Sequence, residues 1–134
     1  MVKKVSRKNY NSSKYIDFRK VSDNFYEGAK IASEFEYYNA SGVLVVHAAI
    51  ALADAVTIRL SSTKCTGNNH YEIIHLLREC IPGNKENNSA LMHFEKIIDH
   101  KNAVSYQGEI YTKADIIKLF KHFERFKSWT DSVF

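Results

Sequence analysis

Apolar positions recur three and four residues apart along almost the whole chain, which is the period of an α-helix. Phe18, Val21, Phe25, Gly28, Ala32 and Phe35 predict one buried stripe on a long first helix that opens near Ser13, and Asn39-Ala40-Ser41-Gly42 predicts its break. The segment from Val43 to Ser61 is apolar nearly all round and carries Ala48, Ala49, Ala51, Ala53 and Ala55, as a central helix does when its neighbours approach closely. Ser62 to Asn69 is polar, contains Gly67 and predicts a loop. Asn69 with Glu72 three places on is a capping pattern for a short third helix, which Ile81-Pro82-Gly83 stops. A fourth helix from about Asn87 to Ala103 carries Leu91, Phe94, Ile97 and Ile98 on its inner face. Thr112 with Asp115 opens a fifth, whose inner face is Ile116, Leu119, Phe120, Phe123, Phe126 and Trp129. No segment predicts a strand. The expected fold is all-α, an antiparallel up-and-down four-helix bundle with an additional short helix, formed by one domain over residues 13–134 behind a basic arm over residues 1–12.

Composition agrees with one domain: 134 residues, 45% hydrophobic, with eight Phe, eight Tyr and one Trp, supply enough apolar surface for a single core and exclude wholesale disorder. Two Cys make no disulfide framework, and the start, MVKKVSRKNYNSSKY, has no apolar leader, so the expected compartment is a reducing cytoplasm. His47, Asp54, Thr57 and Arg59 interrupt the apolar run from Val43 to Leu60, which therefore reads as a buried helix and not as a membrane span. The net charge of +4 is unevenly placed. Lys3, Lys4, Arg7, Lys8, Lys14, Arg19 and Lys20 face only Asp17 among the first twenty residues, so the basic character belongs to the arm. Such an arm either follows a phosphate backbone or is simply solvated.

No Gly-rich phosphate loop, GxSxG elbow or dinucleotide fingerprint is present. Cys65, His70, His75 and Cys80 recur every five residues, but five helical positions turn about 140° beyond a full circle, so these side chains do not converge and no metal site is expected. Two other places hold polar groups where apolar ones are expected. His47, Ala51, Asp54 and Ile58 share one stripe of the second helix. Asp54 there either pairs with Arg59, Lys101 or a Tyr hydroxyl inside the core, or orients a basic or hydroxyl group lining a cleft. Lys101 continues the stripe of Phe94 and Ile97. It either snorkels to water or offers a cation to a phosphate, with the Tyr106 hydroxyl nearby.

From about Tyr15 to Trp129 the order of parts resembles the HEPN domain, a nucleotide-binding helical family of higher eukaryotes and prokaryotes. The likeness rests on a long first helix, on Asn39-Ala40-Ser41 leading into the Ala-rich second helix, and on Gly67-Asn68-Asn69-His70 before Ile74-His75-Leu76-Leu77. It rests most on the segment from Ile97 to Tyr106, followed by Thr112-Lys113-Ala114-Asp115, which is similar to the family's R-x4–6-H segment in a variant form with Lys101 and Tyr106. The resemblance implies a homodimer whose paired segments face a groove. In active members Arg and His promote attack of an RNA 2′-hydroxyl on the adjacent phosphate without a metal or cofactor. Here Lys101 lacks the bidentate fork of Arg, and a phenol holds its proton far above neutrality and is a poor proton shuttle. The reading that follows is binding of a nucleotide or RNA phosphate, or pairing with a nucleotidyltransferase-type or antitoxin partner, with weak or no catalysis. The alternative is a metal-independent, toxin-type endoribonuclease. Lys101 and Tyr106 are the expected catalytic pair, with Asp54, His70, His47 and Arg59 as supporting binding residues.

Overall fold

A computed structural model describes residues 5–134, so Lys3 and Lys4 of the basic arm lie outside the described residues. The described chain is mostly helical: α1 (Tyr15–Glu34), α2 (Tyr38–Ser61), α3 (Tyr71–Cys80), α4 (Lys85–Ile98), α5 (Lys101–Ser105) and α6 (Lys113–Val133). A short ribbon of β1 (Arg7–Asn9) and β2 (Thr63–Cys65) completes it.

The Ala-rich helix is the spine. α2 touches all five other helices, and Ala48, Ala49, Ala53 and Ala55 are fully enclosed. It is long and apolar enough to cross a bilayer by length and composition, yet 67% of its most apolar stretch is buried inside the protein. Small side chains let the neighbouring backbones come close, and buried hydroxyls exploit this: Ser22 on α1 donates to the Ala48 carbonyl at 2.7 Å, and Ser41 on α2 donates to the Ala29 carbonyl at 2.8 Å.

That close approach rotates α1 relative to the expected stripe. Ser22, Tyr26 and Ala29 face the core, whereas Val21 and Phe35 are 45% and 66% exposed. Ser22 and Tyr26 can be buried because both hydroxyls are satisfied, Tyr26 by donating to Glu124 at 2.7 Å. The break between the first two helices also comes earlier than the sequence predicts. Glu36 takes the left-handed conformation (φ 64°), and the Tyr37 and Glu36 amides return to the Ala32 and Ser33 carbonyls at 2.8 and 3.0 Å, a Schellman stop. Asn39 to Gly42 lie inside the first turns of α2 and serve tertiary packing. The Asn39 amide donates to the Val104 and Glu109 carbonyls at 3.1 and 2.8 Å and accepts from the Tyr111 N–H at 2.9 Å, fastening the segment between α5 and α6.

The ribbon corrects two expectations, since the sequence predicts no strand and a solvated basic arm is one of its readings. β1 pairs antiparallel with β2 in the register Arg7 to Cys65 and Asn9 to Thr63, Val5 is buried, and Arg7 makes a bidentate bond to Glu79 at 2.7 and 3.1 Å. A loop made of so polar a run gains order from these backbone bonds, anchored by the buried Val5 and Cys65. The Thr112–Asp115 capping box forms as predicted, and Ile116, Leu119, Phe123 and Phe126 of α6 are buried. The single helix expected from Asn87 to Ala103 is two, α4 and α5, turned against each other at Asp99 and His100.

Gly42 is where α2 meets α5. A Cβ there would lie 2.6 Å from Val104 Cγ2, with Ile116 and Leu119 behind. Gly42→Ala is expected to destabilise the fold by about 1–3 kcal/mol through overpacking. In urea unfolding, the double variant Gly42→Ala/Val104→Ala should lose less than the sum of the two single losses. Additive losses would show that the contact is not tight.

Candidate functional site

The turn between α4 and α5 determines where Lys101 goes. Phe94, Ile97 and Ile98 are buried along α4, and a straight continuation would carry Lys101 into the same core. Instead the His100 amide closes a tight turn onto the Ile97 carbonyl at 3.1 Å, Val104 takes the next core position, and Lys101 is left half-buried at the first position of α5. It lies at the rim of a cleft of about 270 Å³ whose opposite wall is the entry to α3, Asn68 to Tyr71.

His70 stands immediately before α3, and its ring makes no capping bond, because Asn69 Oδ1 already accepts the Tyr71 N–H at 3.0 Å. Burial, and then the neighbouring Lys101, His47 and Lys64, pushes the His70 imidazole below its ordinary value, so it is neutral at pH 7. Asn102 adds a further amide to the lining. The cleft also holds one carboxylate, Asp99, whose Oδ1 accepts the Tyr71 hydroxyl at 2.6 Å. That bond, with burial and the charge of Asp99, drives the Tyr71 phenol up to about 12, so it remains a donor. Lys101 forms no ion pair with a carboxylate among the described residues. Its ammonium, the His70 ring and the three Asn amides are therefore the groups free to meet a ligand.

Asp54 and His47 lie elsewhere. Both line a separate, mainly apolar groove of about 340 Å³ between α1 and α2, walled by Phe18, Val21, Phe25 and Ile50. Asp54 is 4% exposed. Neither Arg59, Lys101 nor a Tyr hydroxyl pairs with it; its partner is Lys64 of β2, whose Nζ is 3.7 Å from Oδ2, while Oδ1 has no hydrogen-bond partner. Burial outweighs the attraction of Lys64 and raises the Asp54 carboxyl to about 7.

The six residues expected from the sequence thus fall in four places. His70 and Lys101 share the cleft, and His47 and Asp54 share the groove. Tyr106 ends α5 and is 79% exposed outside the cleft, and Arg59 is exposed with its guanidinium 5.5 Å from the Tyr15 ring centre. Tyr106 misses the cleft because the α4–α5 turn redirects the segment that carries it; Arg59 misses because it lies one position past the buried stretch of α2. Comparison with family models, with characterised proteins and with solved structures finds no match to this chain.

Sequence reasoning missed Lys64, Tyr71, Asp99 and the Asn side chains of the cleft. Only Asn68 and Asn69 carried a signal, the polar loop before a capping pattern. It also missed a pair between α4 and α6, where His93 Nδ1 and His122 Nδ1 are 3.0 Å apart and burial pushes both rings below their ordinary value. Twenty-nine positions separate them in the chain, and no local pattern joins them.

Asp54 generates a stability prediction with a definite sign. An acid whose carboxyl rises from 3.8 to about 7 on folding contributes stability that is complete below about pH 4 and is lost as pH rises through about 7. Asp54→Asn is therefore expected to be more stable than the parent at pH 8, by as much as about 4 kcal/mol. The advantage should shrink to nothing near pH 4 when both are unfolded in urea. A variant equally or less stable at pH 8 would contradict the burial argument.

Proposed function

We propose that this is a HEPN-like protein, an up-and-down bundle of α1, α2, α4 and α6 that binds the phosphate of a nucleotide or RNA in the cleft between Lys101 and His70. The observation that carries this reading is an ammonium without a carboxylate partner among the described residues, beside a concavity lined by an imidazole and side-chain amides. Lys101 supplies charge, Asn68, Asn69 and Asn102 supply neutral donors, and His70 adds a second charge whenever it is protonated. Asp99 opposes an anion, but its hydrogen bond from Tyr71 already engages one of its oxygens. In the same reading the chain works as a homodimer, alone or beside a nucleotidyltransferase-type or antitoxin partner. Tyr37 and Tyr71 are exposed aromatics that suit such an interface, whereas Tyr38 is half-buried and Tyr111 is buried.

His70 favours one alternative, a metal-independent endoribonuclease. A neutral imidazole beside an ammonium has the parts for 2′-hydroxyl attack: His70 takes the hydroxyl proton, the 2′-oxygen bonds to phosphorus, Lys101 stabilises the added charge, and the 5′-oxygen leaves with a proton from water. In this alternative proton transfer falls to His70 and not to the exposed Tyr106.

The binding reading is tested by fluorescence anisotropy with a labelled single-stranded RNA and with AMP as competitor, in EDTA at low salt. Lys101→Ala is expected to weaken binding about tenfold or more, and Tyr106→Phe to leave it unchanged. Affinity should rise as pH falls from 7.5 to 5.5, and His70→Asn should flatten that rise, because an anion favours the charged imidazole. Equal affinity of Lys101→Ala and the parent would remove the cleft from the function. Cleavage of the RNA in EDTA that is lost in His70→Asn would select the catalytic alternative.

A further inference from the structure

The groove between α1 and α2 is built differently from the cleft. Its walls are aromatic and aliphatic, with Phe18, Val21 and Phe25 from one helix and Ile50 and Ala51 from the other. Phe25 also faces the His47 ring, 5.8 Å between centres, and Phe18 meets Tyr10 edge-on at 5.8 Å. Of the two acids that line it, Asp54 is enclosed by protein and, among the described residues, has one oxygen without a hydrogen-bond partner. The other, Asp17 at the outer end, is already paired with Lys14 at 2.8 Å.

A groove of this kind matches one ligand chemistry. Apolar walls favour an apolar body, the unbonded carboxylate oxygen favours a strong donor, and the negative charge favours a cationic one. We propose that the α1–α2 groove is a binding site for a small apolar amine, whose ammonium is received by Asp54 and whose hydrocarbon lies against Phe18, Val21, Phe25 and Ile50. The ammonium completes what Lys64 leaves undone. At 3.7 Å from Oδ2, Lys64 reaches one side of the carboxylate and does not offset the cost of burying it. This site stands independently of the phosphate reading, since neither Lys101 nor His70 lines the groove.

The test uses n-hexylamine and its neutral counterpart 1-hexanol as probes, added to the full chain at pH 8, where Asp54 is mostly ionised. Methyl resonances of Val21, Ile50 and Ala51 are followed by NMR. The expected result is saturable shifts at those methyls, with the amine binding about tenfold more tightly than the alcohol. Asp54→Asn should fold at least as stably as the parent and reduce that ratio to about one. Ala51→Leu, which fills the groove, should remove the response to both probes, and Lys101→Ala should leave both unchanged. Absence of saturable shifts, equal affinity for the two probes, or a preference that persists in Asp54→Asn would each overturn the proposal. So would shifts centred on methyls outside the groove.

Discussion

The enclosure of α2 governs the rest of the molecule. A helix in contact with five others buries most of its surface, so along that surface it must present small side chains for the neighbouring backbones to approach, and the polar atoms buried there must be satisfied. Alanines meet the first demand along most of its length, and Gly42 meets it where α5 crosses. The serines meet the second: Ser22 and Ser41 each donate to a carbonyl of the facing helix, a bond available only where two backbones run close together. Asp54 is the position where both demands fail. Packing leaves its carboxylate almost without exposure at the floor of the α1–α2 groove, and among the described residues the one ion-pair partner is Lys64, 3.7 Å away.

What could be read from the sequence follows from whether the signal is local. The long helices, the alanine spine and the Thr112–Asp115 cap were legible because periodicity and capping act within a few residues of themselves. The β ribbon was not, because its two strands are separated by more than fifty residues and each is a short polar run whose order comes from the other. Nor was the true position of the first break: Asn39 to Gly42 have the composition of a stop, yet their side chains are occupied by α1, α5 and the segment before α6. Lys101 and Asp54 could be picked out as polar residues in apolar surroundings, and His70 through the family resemblance of the loop that carries it. Their partners across the fold could not, since Lys64 comes beside Asp54, and the Asn68–Tyr71 wall opposite Lys101, only through tertiary folding.

The α4–α5 turn decides the character of the cleft. By shifting the helix phase it gives the core Val104 in place of Lys101, and it frees the ammonium to face the entry of α3. It also sends His100 to the opposite side, where its ring shares a 2.6 Å hydrogen bond with the buried Tyr111 hydroxyl. Two adjacent basic residues are thereby given separate environments, one enclosed in a local bond and one left available. A straight helix could not have separated them so fully, because neighbouring positions on it differ by only about 100°.

The β ribbon has a mechanical consequence. The same polar segment that holds β2 runs on through Thr66, whose amide bonds to the Ser6 carbonyl, to the residues that wall the cleft. Arg7 clasps Glu79 at the far end of α3, so β1 grips the helix and its approach at once. Peeling the first strand away would loosen one jaw of the cleft while the other, carried by α4 and α5, stayed in place. The opening stretch of the chain is thus a clasp for residues some sixty positions downstream, and the burial of Val5 ties the clasp itself to the core.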